Sequence, residues 1–269
     1  MTTPYGLIGE NLGHSISPRI HEGIFGQIGV PGTYSLFEVD KKYLQNVVPG
    51  LKTLGIKGAN VTIPYKTDII KFLDEISPEA KKIGAVNTIA LEGNVAAGYN
   101  TDYFGFGMAL DKYSVDTKGK TAVVLGTGGS SRAISQYLLD AGIGEIILVS
   151  RDAGGAGCGR YRDFRIITYS KLRHFTQGDI LINCTPVGMH PHPESIPVPK
   201  ASLRRFPIVF DLIYNPVETL LLKSARELGA RAINGLYMLV AQAVEAQKLW
   251  HKMNVGEDLI DVIYREITT

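Results

Sequence analysis

The chain has 269 residues, of which 45% are hydrophobic and 20% charged, so it can bury a folded core and disorder is not expected. Lys and Arg number 28 and Asp and Glu 26, and the net charge of +2 argues against nucleic-acid binding driven by bulk charge. Two cysteines, Cys158 and Cys184, cannot make a disulfide framework. No run of 18 apolar residues predicts a membrane span. We expect a cytoplasmic protein with neither a nucleic-acid nor a membrane partner.

Short apolar runs alternate with helical patterns in the first part of the chain. Strands are predicted over 5–9, 34–39, 58–63, 85–91 and 95–99, and helices over 14–29, 43–53 and 66–73. Ser15, Ser17 and Pro18 suit the capped start of the first helix. This alternation predicts an α/β fold with a mostly parallel sheet and helices on both of its faces.

A second alternating series begins near residue 120. Its predicted strands are 121–125, 145–149, 165–168, 179–183 and 208–212, and two further helices are predicted over 236–250 and 259–266. The break between the two series falls at 102–119. The sequence therefore predicts two α/β domains.

A glycine-rich turn joins the strand at 121–125 to a helix that is predicted to continue through Leu139. The turn reads Gly126-Thr-Gly-Gly-Ser-Ser131, where glycines allow backbone amides to approach a pyrophosphate at the helix N-terminus. Ser131 stands where the fingerprint has its third glycine. The alternative is an ordinary glycine-rich connection between a strand and a helix.

The next strand ends at Ser150-Arg151-Asp152, where a dinucleotide domain selects its cofactor. Arg151 favours the 2′-phosphate of NADP, whereas Asp152 favours the ribose hydroxyls of NAD. The segment that follows, 153–159, is too rich in glycine to predict a helix.

Several strand positions of the first domain carry polar residues where apolar residues would be sufficient. Asn60 and Thr62 share one side of a strand, and the polar segments at 87–88 and 100–102 are predicted to end two others, which suits a ligand crevice at the carboxyl edge of a sheet. Lys66 begins a predicted helix, the end that cations avoid. Lys66 and Asp102 would make an acid–base pair if they met, and an ordinary ion pair is the alternative. Capping alone would explain Ser15 and Ser17.

Other chemistries leave no trace in the sequence. The six histidines do not form HExxH, and no cysteine spacing suits a zinc site, so we expect no metal. There is no GxSxG elbow and no GxxxxGK[ST] loop. Gln242 lies off the apolar stripe of its predicted helix and could offer an amide to a ligand.

Eight short blocks run through nearly the whole chain. They are His14-Ser-Ile-Ser-Pro18, Gly58-Ala-Asn-Val-Thr-Ile-Pro-Tyr-Lys66, Gly84-Ala-Val-Asn-Thr88, Gly98-Tyr-Asn-Thr-Asp102, Gly126 to Ala133, Asn183-Cys-Thr-Pro-Val-Gly-Met189, Asp211-Leu-Ile-Tyr-Asn-Pro216 and Asn234-Gly-Leu-Tyr-Met-Leu-Val-Ala-Gln242. Together and in this order they resemble the shikimate dehydrogenase family, which interconverts 3-dehydroshikimate and shikimate with NADP.

The resemblance implies a substrate domain of residues 1–102 and 237–269, to which the C-terminal helices return, and a Rossmann-type domain of residues 103–236, with a substrate crevice between them. It implies that Lys66 and Asp102 are the catalytic pair. The positions that it assigns to the substrate, besides Asp102, are Ser15, Ser17, Asn60, Thr62, Asn87, Tyr214 and Gln242. The positions that it assigns to the cofactor are Gly126, Thr127, Gly128, Gly129, Ser130, Ser150, Arg151, Asp152, Thr185, Gly188, Met189, Leu212 and Gly235.

The implied activity is the reversible NADP-dependent reduction of 3-dehydroshikimate in the shikimate pathway, which leads to chorismate and the aromatic amino acids. In oxidation, Lys66 takes the proton of the substrate hydroxyl, and a hydride is transferred to the nicotinamide from the carbon that bears this hydroxyl. Two departures stand out, because Asp152 replaces a usual Thr and Tyr103 a usual Gly. The alternatives are an NAD-preferring quinate/shikimate dehydrogenase and a non-catalytic ligand sensor. We expect a monomer or a homodimer.

Overall fold

The computed structural model describes residues 2–156, 164–175 and 177–269. Cys158 lies outside these ranges. The chain divides into two units, one formed by 1–108 and 239–269 and the other by 109–238. No helix in the described ranges is both long and apolar enough to cross a membrane.

Six strands form the sheet of the first unit. They are β1 (Thr3–Gly9), β2 (Gly32–Glu38), β3 (Gly58–Val61), β4 (Glu75–Ile76), β5 (Thr88–Glu92) and β6 (Val95–Tyr99). Their order is β2-β1-β3-β5-β6-β4. β1 is parallel to β2 and β3, and β4 is parallel to β6, whereas β5 is antiparallel to both of its neighbours. The sheet is therefore mixed, with most pairs parallel.

The antiparallel β5 corrects one expectation and positions the site. The sequence predicts that Asn87 and Thr88 end a strand, but Thr88 is the first residue of β5 and Asn87 precedes it. Because β5 runs against β3, its start lies beside the carboxyl end of β3, where Asn60 pairs with Thr88. The polar side chains thus reach one edge of the sheet although their strands differ in direction.

Four helices follow these strands along the chain: α1 (Ser17–Ile28), α2 (Val47–Thr53), α3 (Pro78–Ile83) and α4 (Thr101–Lys112). The boundary between the units at 108/109 lies inside the predicted break at 102–119, although α4 runs through the first half of that segment. The predicted helix at 66–73 is reduced to a 3₁₀ turn over Ile69–Phe72, so Lys66 lies in the connection before it.

All six strands of the second unit are parallel. They are β7 (Thr121–Leu125), β8 (Glu145–Ser150), β9 (Arg165–Thr168), β10 (Ile180–Asn183), β11 (Ile208–Asp211) and β12 (Arg231–Asn234), in the order β12-β11-β10-β7-β8-β9. Four helices accompany them: α5 (Gly129–Asp140), α6 (Ala153–Ala156), α7 (Tyr169–Leu172) and α8 (Leu220–Glu227). Parallel strands bring all of their carboxyl ends to one edge, which is where this class of sheet binds ligands.

One turn of helix, α6, contradicts the expectation that 153–159 is too rich in glycine for a helix. A hydrogen-bonded turn precedes α6, because the Ser150 hydroxyl donates to the Asp152 carbonyl and accepts from the Asp152 amide. The cost of glycine in a helix, roughly 1 kcal/mol per residue relative to alanine, is small enough for such tertiary and local contacts to offset over one turn.

Two helices end the chain, α9 (Leu236–His251) and α10 (Asp258–Thr268). The division between the units falls within α4 and α9, as do the boundaries 102/103 and 236/237 expected from the sequence. Residues of α9 are buried on more faces than the predicted stripe, including Tyr237, Ala241 and Gln247.

Each unit has its own apolar core. In the first unit Ile8, Val61, Tyr65 and Ile89 belong to one cluster, and a second, smaller cluster joins Tyr5, Phe25 and Tyr34. Val123, Ile147, Leu181 and Val209 line the centre of the second unit. The packed cores of the two sheets therefore fix the positions of the residues at their carboxyl edges.

Candidate active site

Lys66 and Asp102 meet at the carboxyl edge of the first unit's sheet. Lys66 lies in the turn after β3, and Asp102 lies in the first turn of α4, which follows β6. Lys66 Nζ donates a hydrogen bond to Asp102 Oδ2 at 2.5 Å, and the side chains are only 12% and 7% exposed. The pair is therefore largely withdrawn from water and is not an ordinary surface ion pair.

Asn87 fixes the other oxygen of Asp102. Asn87 Nδ2 donates to Asp102 Oδ1 at 2.9 Å, while Asn87 Oδ1 accepts the backbone N–H of Thr101 at 2.7 Å. An amide that accepts on one side must donate on the other, so the Thr101 backbone sets the orientation of the Asn87 side chain. Asp102 is thereby held from two sides, with Lys66 on one oxygen and Asn87 on the other.

Gln242 of α9 joins the same group of side chains. Its Oε1 lies 3.3 Å from Thr101 Oγ1 and 3.4 Å from Asn87 Nδ2, and its Nε2 donates to the Leu239 carbonyl at 2.8 Å. Gln242, expected to lie off the apolar stripe of its helix, is nonetheless buried, and its amide lies beside Asn87.

Ser15 and Ser17 do not cap α1, contrary to the expectation from sequence. The N-cap position is Ile16, with no side-chain capping bond. Instead the Ser15 hydroxyl donates to Ser17 Oγ at 3.1 Å and accepts the Ser17 amide at 3.3 Å. Since capping fails to account for the two hydroxyls, the reading that they serve a ligand gains weight.

Asn60 and Thr62 lie at and beyond the end of β3. Asn60 is buried, and its Nδ2 donates to Thr88 Oγ1 at 3.0 Å and to the Asn87 carbonyl at 3.3 Å. Its Oδ1 accepts from the Tyr34 hydroxyl at 2.8 Å. Thr62 is half-buried and bonds through its backbone to the Ile8 carbonyl.

One buried residue of this group, Tyr34, was not singled out from the sequence, and no sequence signal marks it. Thr88 and Thr101 belong to the polar segments at 87–88 and 100–102 that the sequence does indicate. Thr88 Oγ1 lies 3.1 Å from both Asn87 Oδ1 and Thr101 Oγ1.

The glycine-rich turn of the second unit has the geometry that a dinucleotide needs. Gly126 has a φ of 97°, and a Cβ there would lie 3.0 Å from Thr185 Cγ2. Gly128 is the extended N-cap of α5, and a Cβ on it would meet open space. Ser131, in place of the third glycine, is buried, and its hydroxyl donates to the Gly128 carbonyl at 2.8 Å. The cradle and the amides at the start of α5 fit a pyrophosphate.

The other positions assigned to the cofactor lie along the same carboxyl edge. Thr127, Gly129 and Ser130 belong to the turn and the first residues of α5, Ser150 ends β8, and Arg151 and Asp152 follow it, both exposed. The residues that follow β10, β11 and β12 are Thr185, Gly188, Met189, Leu212 and Gly235.

Gly235 is required for a close backbone approach at this edge. A Cβ on Gly235 would lie 2.0 Å from the Leu212 carbonyl oxygen, a distance that no side chain tolerates. Gly235 also donates its N–H to the Ile213 carbonyl at 3.1 Å. Tyr214, assigned to the substrate, follows β11 and therefore belongs to the second unit, unlike the other substrate positions.

No group of three His, Cys, Asp or Glu side chains within the described ranges is arranged to hold a metal ion.

Known proteins resemble this chain over its full length. The family model for the shikimate dehydrogenase substrate-binding domain matches residues 7–89. A shikimate dehydrogenase (NADP(+)) of Clostridium perfringens is 44% identical over 265 residues, 98% of this chain and 97% of the relative.

Solved structures agree. Shikimate dehydrogenase 1 from Peptoclostridium difficile is 43% identical with a TM-score of 0.94, covering 99% of this chain and 98% of that one. The enzyme of Thermus thermophilus, solved with NADP(H) and shikimate, is 29% identical with a TM-score of 0.85, covering 98% and 99%. The chain therefore belongs to the shikimate dehydrogenase family.

Proposed function

We propose that the protein is a shikimate dehydrogenase that reversibly reduces 3-dehydroshikimate to shikimate with NADP. The observation that carries the proposal is the buried contact between Lys66 and Asp102, with Asn87 on the second carboxylate oxygen. The Clostridium perfringens relative bears this activity in its name, and it is similar to nearly the whole chain.

The proton transfer falls to Lys66. In the direction of oxidation, Lys66 Nζ takes the proton of the substrate hydroxyl, and in reduction it returns that proton to the oxygen. Asp102 orients Nζ through the 2.5 Å hydrogen bond and balances its charge when the amine is protonated. Asn87 keeps the carboxylate of Asp102 from turning away.

Neutral donors serve the remaining groups of the substrate. The hydroxyls of Ser15 and Ser17 suit the substrate carboxylate, and Thr62 and Gln242 suit ring hydroxyls. Asn60 has both of its N–H groups engaged by Thr88 and Asn87, so its contribution to a ring hydroxyl is limited to a lone pair on Oδ1. Asn87 and Tyr214 complete the proposed set.

The second unit holds NADP, which accepts or supplies the hydride when bound. The amides at the start of α5 and the open space beside Gly128 suit the pyrophosphate, and Arg151 provides a guanidinium for the 2′-phosphate. Thr185, Gly188, Met189, Leu212 and Gly235 form the rest of the proposed site on the same edge. The first unit is accordingly proposed as the substrate domain.

The test is an initial-rate assay of nicotinamide reduction with shikimate or quinate, each with NADP or NAD. We expect turnover of shikimate with NADP. Lys66→Ala should lower kcat by about 10²–10⁴, the usual contribution of a positioned acid–base group. Lys52→Ala is the matched control, because Lys52 also pairs with an aspartate of the first unit, Asp74 at 2.8 Å, away from the site.

Each departure from this pattern has a meaning. Equal activity of Lys66→Ala and Lys52→Ala would remove Lys66 from the mechanism. Faster turnover with quinate and NAD would favour the quinate/shikimate alternative. A folded protein that turns over neither substrate with either cofactor would overturn the enzyme and favour a ligand sensor.

We also propose a cytoplasmic location, which suits a biosynthetic enzyme that depends on NADP, and a monomer or homodimer in solution. Sedimentation equilibrium of the purified protein decides the oligomeric state.

A further inference from the structure

A buried carboxylate with no part in the proposed proton transfer lies at the carboxyl edge of the second unit's sheet. Asp211 ends β11 and is fully buried. Its Oδ1 accepts from Asn183 Nδ2 at 3.0 Å and from the Ile213 amide at 3.1 Å, and its Oδ2 accepts from the Thr219 hydroxyl at 2.7 Å. Burial raises the pKa of Asp211 to about 6, although these hydrogen bonds act in the opposite direction. Burying a carboxylate is costly, and the three donors offset part of that cost.

The carboxylate determines how the neighbouring amide is turned. Asn183 ends β10 and is also fully buried. Because Asp211 Oδ1 is an acceptor, Asn183 must present its NH₂ group to it and its carbonyl oxygen to the other side. That oxygen accepts the Thr185 amide at 3.1 Å and the Thr185 hydroxyl at 2.7 Å. A reversed amide would lose the bonds to Asp211 and to the Thr185 amide.

The chain of contacts ends at the glycine-rich turn. Thr185 Cγ2 lies against Gly126, where a Cβ would approach it to 3.0 Å, and Gly126 is the first glycine of the fingerprint. The second bond to Asp211 Oδ1, from Ile213, fixes the backbone between Leu212 and Tyr214. One carboxylate thus anchors two of the segments that follow neighbouring strands at this edge.

We propose that Asp211 is a positioning residue for NADP binding, which acts through Asn183 on Thr185 and through Ile213 on the segment after β11. The inference rests on the proposed function, because it takes NADP as the ligand. Asp211 is not proposed as a catalytic residue, since it is fully buried and acts on the cofactor only through Asn183 and Ile213.

The experiment measures the Kd of NADPH from its fluorescence, which needs no turnover. Asp211→Ala removes the acceptor and should weaken NADPH binding about tenfold, because Asn183 loses the partner that fixes its amide. Asp211→Asn keeps an acceptor oxygen for Asn183 and Ile213, and its amide donates to a rotated Thr219 hydroxyl, so it should restore binding to within about twofold of wild type. The Kd of shikimate, measured by calorimetry, should change little in either variant.

Asp179→Ala is the matched control. Asp179 lies just before β10, at the opposite edge of the same sheet. Its Oδ2 accepts the Thr121 amide at 2.8 Å. Its removal takes away a comparable acceptor without touching the chain to Thr185, and it should leave the Kd of NADPH unchanged.

Asn183→Ala provides a second route in case Asp211→Ala does not fold. It breaks the same chain one link further on and should weaken NADPH binding to a similar extent. Where Asp211→Ala folds, adding it to Asn183→Ala should weaken NADPH binding by less than it does alone, because the two residues act through the same contacts.

The outcomes separate the inference from the proposed function. NADPH binding in Asp211→Ala equal to that in Asp179→Ala would overturn the inference, and so would an equal loss in Asp211→Asn, because charge and not the acceptor would then matter. A wild-type protein that binds NADPH without oxidising shikimate would overturn only the proposed function. A wild-type protein that does not bind NADPH would overturn both.

Discussion

Arg151 and Asp152 place opposite charges side by side after β8, where the cofactor's ribose is expected. Both are exposed, and a turn through Ser150 Oγ fixes the backbone of Asp152. Arg151 also lies near Tyr169, where its positive charge lowers the pKa of the phenol against the larger effect of burial. The guanidinium favours a 2′-phosphate and the carboxylate repels it, so the two residues oppose each other in selecting the cofactor.

Replacing Asp152 by Asn should shift the preference further toward NADP. The exposed charge acts through solvent, so we expect kcat/KM for NADP to rise by about fivefold or less and kcat/KM for NAD to fall, with the gain for NADP shrinking at high salt. The measurement is the ratio of kcat/KM for the two cofactors at two ionic strengths. Asp116→Asn, which makes the same charge change in the segment before β7, is the control. The same gain in both variants would refute a local effect.

Tyr34 sits at the far end of a directed hydrogen-bond chain to the catalytic pair. Its hydroxyl donates to Asn60, Asn60 donates to Thr88, and Thr88 donates to Asn87, which donates to Asp102. Tyr34→Phe should lower the free energy of unfolding by about 1 kcal/mol, because a buried acceptor on Asn60 loses its donor. A fall of about fivefold in kcat/KM for shikimate should accompany it. Without the Tyr34 hydroxyl, the Asn60 amide and the Thr88 hydroxyl are held less firmly against Asn87.

Tyr5→Phe is the control for Tyr34→Phe. Tyr5 lies in the same aromatic cluster, stacked on Trp250 at 4.8 Å, and no hydrogen bond joins its hydroxyl to a residue in the described ranges. Denaturant unfolding and shikimate kinetics of the two variants should therefore differ. Identical values for both would mean that the Tyr34 hydroxyl contributes only packing.

At the scale of elements, the sequence predicts the strands of the second unit best. β7 and β9 have the predicted bounds, and β10 and β11 differ by one residue, because continuous apolar runs between turns are typical of parallel strands. β12, with the sequence Arg-Ala-Ile-Asn, and the two-residue β4 are not predicted, since neither has a run long enough to be recognised. α4 is missed because its glycines, Gly105 and Gly107, obscure a helical pattern.

The candidate site is likewise predicted only in its local features. Strand ends and glycine turns are local features, so the sequence indicates Asn87, Asp102 and the turn at Gly126. The contacts among them are not local, since Lys66 and Asp102 are 36 residues apart and Asn87 and Gln242 are 155 apart. Only the topology, with its single antiparallel strand in the middle of the first sheet, brings these side chains together.

The end of β11 gives a prediction about pH, because Asp211 joins β11 to β10 and to the N-cap of α8, Thr219. Its folded pKa, about 6, lies above the ordinary value of 3.8. The unfolded chain therefore ionises first as pH rises, and the contribution of Asp211 to the free energy of unfolding falls between pH 4 and pH 6. The fall amounts to about 3 kcal/mol, at roughly 1.4 kcal/mol for each pH unit between the two pKa values.

Asp211→Asn should abolish that fall. The variant keeps the acceptor for Asn183 but cannot ionise, so its stability relative to wild type should rise from pH 4.5 to pH 7 by about 2 kcal/mol, the part of the fall that lies in this range. Urea unfolding of both proteins across this range measures the difference, in which other titrating groups cancel. A difference that stays constant with pH would show that Asp211 titrates alike in the folded and unfolded chains.

At the scale of the whole molecule, each unit has a six-stranded sheet with its own core, and each sheet presents its candidate residues at one edge. A ligand stabilises the structure to which it binds by mass action, and local opening then becomes rarer around its site.

We expect NADP alone to slow amide hydrogen exchange chiefly at 126–131 and 185–189, and shikimate alone to slow it chiefly at 60–66 and 87–102. Exchange measured by mass spectrometry after peptic digestion resolves these segments. Lys66→Ala is the control, because it should weaken the effect of shikimate and leave the NADP pattern intact. Protection by NADP that was as strong at 60–66 as at 126–131 would contradict the assignment of the two ligands to separate units.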